Sequence, residues 1–162
     1  MPLARWSTDS AEIVERIAFR LRAEAPANSR LLLWARHGRS VLLHLTSLRV
    51  SIRNGWLLAN LLVETEPTGR RLLQFVLYLG DDGDSDGTRA GATIHTDSRE
   101  GGQLVQLWGE DLQRAVWDGV LDIVEGSLHL AESRHRGLPL SLLGFSCSGN
   151  QLHVDIQAGE GA

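Results

Sequence analysis

The chain has 162 residues, 43% hydrophobic and 22% charged, with a net charge of −4. That is an ordinary globular composition, long enough to bury one core, and its acidic balance argues against a phosphate-neutralising basic face and so against nucleic-acid binding. All 16 basic residues are Arg, a bias read as codon usage in a GC-rich bacterial genome.

Met1 to Trp6 lacks the apolar stretch of a signal peptide, and no run approaches the length that spans a bilayer, so the expectation is a cytoplasmic protein with no membrane partner. Residues 1–8 and 159–162 are expected to be flexible flanks of a single α+β domain, 1–162. Asp9 followed by Glu12 has capping-box spacing, and Ile13, Ile17 and Leu21 with Val14 and Ala18 form one apolar stripe. A helix is predicted from Asp9 to Ala25, ended by Pro26.

Leu31 to Ala35 reads as a short strand turning at Gly38 into Val41 to Leu45. That strand either continues to Arg53 or breaks at Thr46-Ser47 in a bulge or bend. Asn54-Gly55 is a hairpin signal for a two-residue type I′ turn, with positive φ at both central positions. Symmetric pairing then sets Arg53 against Trp56, Ile52 against Leu57, Val50 against Ala59, Leu48 against Leu61 and Thr46 against Val63. A four-residue loop, Glu66-Pro67-Thr68-Gly69, would pair Glu64 with Arg71, Leu62 with Leu73, Asn60 with Phe75, Leu58 with Leu77 and Trp56 with Leu79.

This register makes both faces of the meander apolar. Leaving Trp56, Leu58, Leu73, Phe75 and Leu77 in water would forfeit roughly 1.5–3 kcal/mol each, comparable in sum with the about 5–15 kcal/mol that stabilises a domain. Something must cover that face: a helix of the same chain, a second copy, or a partner or ligand. Trp56, Leu58, Phe75 and Leu77 are therefore the candidate binding residues.

After Leu79, residues 80–87 read as an acidic loop, and Ala92 to Thr96 as a weaker strand. Trp108, Leu112, Ala115, Val116, Val120, Ile123 and Val124 recur at helical spacing, which predicts a second amphipathic helix from Leu104 to about Val124, with Gly119 as a residue that disfavours it by about 1 kcal/mol. Residues 127–136 are ambiguous. Leu140 to Cys147 and Leu152 to Gln157 flank Ser148-Gly149-Asn150 as a closing hairpin. The fold class is α+β: an antiparallel sheet of about six to seven strands around a central meander, packed with two helices.

Leu31 to Ser40 contains an apolar strand running into Arg36-His37-Gly38, which resembles the opening motif of the histidine phosphatase superfamily. The resemblance covers about ten residues and implies His37 as phosphorylated nucleophile, Arg36 as phosphate ligand and an α/β fold; the chain beyond Ser40 reads instead as a β meander. Asp82, Asp84, Asp86 and Gly87 match the first half of a calcium loop, but Thr93 stands where the twelfth-position acid belongs, so a solvated loop is the stronger reading. Gly144 to Ser148 lacks the last glycine of a nucleophile elbow. His44, His95 and His153 sit singly in strands, and Cys147 has no neighbouring cation to activate it.

No catalytic residue, metal site or cofactor is assigned. The sheet with two helices broadly resembles secretion chaperones in architecture, which implies a non-enzymatic bacterial adaptor that self-associates or holds a protein partner. The alternatives are a phosphoryl-handling hydrolase using Arg36 and His37, and a curved sheet holding a small apolar ligand.

Overall fold

In the computed structural model, which describes residues 3–23, 32–36, 38–66, 69–80, 91–96 and 101–159, the first helix is α1, Ser10–Ala23. Asp9 caps it, its carboxylate accepting the Glu12 N–H at 3.1 Å, as the capping spacing requires. The residues before the cap, expected to be flexible, instead include a strand, β1 (Ala4–Thr8). Its sequence signal was weak because its partner lies at the other end of the chain, where an Arg5–Asp155 fork (2.7 and 3.0 Å) and the Ser7–His153 hydrogen bond fasten it.

Five strands then form one antiparallel sheet in sequence order: β2 (Leu32–Arg36), β3 (Arg39–Arg53), β4 (Gly55–Thr65), β5 (Gly69–Gly80) and β6 (Gly91–Thr96). The Asn54-Gly55 hairpin pairs Arg53 with Trp56, Ile52 with Leu57 and Val50 with Ala59, as expected. Its turn differs from type I′, since Gly55 alone of the two takes a positive φ, 81°. Further along, the expected Leu48–Leu61 and Thr46–Val63 pairs are absent, and Leu43 faces Val63. The four residues Leu45 to Leu48 lie opposite Leu61 alone, so β3 is one continuous strand carrying a bulge.

Between β4 and β5 the register is one residue off the expected one. Gly69, at φ 66°, is the first paired residue of β5 and lies opposite Thr65, leaving a three-residue loop in place of four. Glu64 consequently faces Arg70, not Arg71. Two successive arginines satisfied the charge argument equally well, and a slip of one residue reverses every side chain. Leu73, Phe75, Leu77 and Leu79 therefore join Leu57, Ala59, Leu61 and Val63 on one inner face, all buried.

The second helix, α2 (Gly101–Arg134), runs well beyond Val124 through the ambiguous stretch. At 1.5 Å per residue it is about 51 Å long, enough to serve two sheets. Its first half packs with α1 on the inner face of the large sheet. Its second half covers a small antiparallel sheet of order β1–β8–β7, formed with β7 (Leu140–Ser148) and β8 (Gln151–Ala158). Gly149 and Asn150, at φ 57° and 61°, make the two-residue turn between β7 and β8.

Gly119 marks the crossing of the helices: a Cβ there would lie 2.8 Å from the Ile17 Cα. Its loss of helix propensity is offset by that close approach. Ile17, Leu43, Leu61, Phe75, Leu112, Cys147 and Leu152 belong to a single buried cluster drawing on both helices and both sheets. No helix among the described residues is long and apolar enough to cross a membrane.

Candidate functional site

The corrected register defines the other face of the large sheet row by row. Ser51, Leu58, Val76 and Thr93 lie side by side across four strands, as do Arg49, Asn60, Gln74 and His95. Toward one end come Arg53, Trp56 and Tyr78; toward the other come His44, Leu62 and Leu72, then Leu33, Leu42, Glu64 and Arg70. Each strand thus alternates core and outer residues, as an antiparallel sheet with one packed face does.

Trp56 and Leu58 stand on this outer face, whereas Phe75 and Leu77, each 1% exposed, point into the core. The four candidates are not one surface. Leu62, expected beside Trp56 and Leu58, shares their face, and sequence patterning missed Leu33, Leu42, Leu72, Val76 and Tyr78, which share it too. The signal that could have found Leu72, Val76 and Tyr78 is Gly69, whose positive φ lets the loop close one residue earlier.

Leu33, Trp56 and Leu72 are 48%, 43% and 43% exposed, and no described helix or strand covers them. The rest of the apolar members are half-buried by their own neighbours. Trp56 and Tyr78 touch, with ring centroids 4.8 Å apart. Toward one end of this face His44 Nε2 lies 3.2 Å and Arg70 Nε 3.5 Å from the same Glu64 oxygen, and Arg53 stands exposed at the other.

Arg49 is spent on the bulge, donating to the carbonyls of Thr46 and Leu48 at 2.9 Å each. Ser47 completes that bulge. Its hydroxyl accepts the Leu62 N–H at 2.9 Å and donates to the His44 carbonyl at 2.6 Å, replacing a ladder bond with side-chain chemistry. The face therefore carries apolar side chains on both sides of a polar row, Arg49, Asn60, Gln74 and His95, and is stiffened at β3.

Elsewhere the chemically suggestive residues are engaged structurally. His153 donates from Nε2 to the Ser148 carbonyl (3.0 Å), while its Nδ1 meets the Ser7 hydroxyl (2.7 Å). His95 contacts Thr93. Cys147 is fully buried, and burial pushes its thiol up to about 12, so it is not a ready thiolate. Among the described residues no group of three His, Cys, Asp or Glu is placed to hold a metal.

His37 and the Asp82, Asp84 and Asp86 loop lie outside the described residues, as does the Arg36 side chain. Gly38, at φ 73°, turns β2 into the antiparallel β3. The surroundings of this motif therefore lack the α/β arrangement that its resemblance implied. The chain matches no protein-family model, no curated protein and no solved structure.

Proposed function

We propose that this chain is a non-enzymatic protein-binding module that homodimerises through the outer face of its five-stranded sheet, an adaptor of the secretion-chaperone kind. The observation that carries the reading is the set of eight apolar side chains on that face, Leu33, Leu42, Trp56, Leu58, Leu62, Leu72, Val76 and Tyr78, with no described element over them. They form two apolar clusters, one on each side of the Asn60-Gln74 row, and exposed apolar patches rimmed by polar residues mark interaction surfaces.

Size favours a second copy as the occupant. Strands about 4.8 Å apart and residues about 3.4 Å apart along them give a face of roughly 24 by 30 Å, or ~700 Å². A specific interface takes about 800 Å² from each partner. A single docked peptide or helix would leave much of a five-strand face wet, whereas a second identical sheet covers it in one step, as in sheet-on-sheet packing.

The test is a double variant, Leu58→Asp with Leu72→Asp, on the outer face alone. Size-exclusion chromatography should show it eluting as a monomer, with an unchanged far-UV circular dichroism spectrum, where the parent elutes as a dimer. Equal elution of the two proteins would refute the reading.

A further inference from the structure

On the opposite side of the large sheet, a cleft of about 470 Å³ lies between the β2–β3 turn, the end of β4 and the first two turns of α2. That volume is in the range of small-molecule sites. Part of its lining is apolar: Leu104 and Trp108 are 2% and 4% exposed, with Leu107 open beside them, while Ser40, Thr65, Gln103 and Gln106 line the rest. Trp108 is braced by Trp34, at 6.3 Å between ring centroids, so the floor is rigid.

Among the described residues the rim carries one charge of each sign. Arg39 and Glu66 both line the opening and both are exposed. Neither forms an ion pair with another described residue. An anionic ligand would meet Glu66 unfavourably and a cationic one Arg39, but a ligand carrying both charges on a small head would satisfy both through charge-assisted hydrogen bonds.

We propose that this cleft binds an apolar α-amino acid, its carboxylate on Arg39, its ammonium on Glu66 and its side chain on Leu104, Leu107 and Trp108. Burial of the side chain supplies the affinity, and the paired charges supply the selection for a free amino acid. The site is independent of the outer face and stands whether or not the chain dimerises.

Isothermal titration of the full chain with leucine, phenylalanine, N-acetylleucine and leucinamide tests it. Leucine or phenylalanine should bind saturably, and the two capped analogues, each lacking one charge, at least tenfold more weakly. Arg39→Gln and Glu66→Gln alter only exposed side chains and should each weaken the free amino acid at least tenfold with the fold intact by circular dichroism. Absence of saturable binding by leucine and phenylalanine up to about 10 mM, equal binding of a capped analogue, or full affinity in either variant would overturn the proposal.

Discussion

Single residues settle two features that patterning alone left open. Thr46 and Ser47 are compatible with a continuous strand, a bend or a bulge, and the hydroxyl of Ser47 decides the matter, since it bonds both the Leu62 N–H and the His44 carbonyl. Ser47→Ala strips a donor and an acceptor from half-buried backbone groups, and should lower stability by about 1–3 kcal/mol in urea unfolding, while Thr46→Ala, at an exposed position, should change little. Asp122 is the second case. Arg20 grips it through a forked pair and Arg16 lies at 3.2 Å, while the carboxylate itself is largely buried. These partners, the Arg20 hydrogen bond foremost and against the cost of burial, hold its carboxyl below the usual range. Its folded pKa is lower than its unfolded one, so the stability it confers is present above the ordinary aspartate value and is lost as pH falls through the folded value. Asp122→Asn should therefore cost about 1 kcal/mol at neutral pH, the arginines being part-exposed, and the gap to the parent should close in unfolding measured at acid pH.

At the scale of elements, both helices, the meander and the closing hairpin are legible because their apolar periods are long and unambiguous. What escaped was whatever depends on partners remote in sequence or on a loop of uncertain length. β1 contributes five residues and is held by β8 from the far end of the chain. The C-terminal third of α2 follows no single stripe, because it leaves one sheet for another and its buried face changes partner: Val124 and Ala131 meet Val154 and Ile156. The β4–β5 register rested on Glu64 meeting one of two neighbouring arginines, and sequence alone favours neither. The error was consequential, since it moved Phe75 and Leu77 from core to surface and inflated a mixed outer face into a second dry one. The register has a direct readout. Phe75→Ala should destabilise the fold by about 3–5 kcal/mol through an internal cavity, whereas Leu72→Ala on the adjoining outer position should cost under about 1 kcal/mol in the separated monomer. The reverse order in thermal unfolding would restore the other register.

At the scale of the molecule, the layers are asymmetric. The inner face of the large sheet is sealed by α1 and α2, and α2 continues past it to close the small sheet, so the core is continuous from Leu32 to Leu152. Among the described residues the outer face has no such cover, although its corrected composition is less apolar than the sequence implied: Asn60, Gln74 and His95 form a polar row across its centre. In the proposed dimer that row would let amides meet amides, with Leu58 and Val76 packing on one side of it and Leu62 and Leu72 on the other. Of the four candidate residues the sequence set on one face, Trp56 and Leu58 lie on the outer face and Phe75 and Leu77 in the core, and the loop hid their neighbours Leu72, Val76 and Tyr78. Sedimentation equilibrium of the wild-type chain tests the central claim most directly. A species of twice the 17.8 kDa chain mass, dissociating on dilution, is the predicted result; a species of 17.8 kDa at every concentration up to saturation would contradict it.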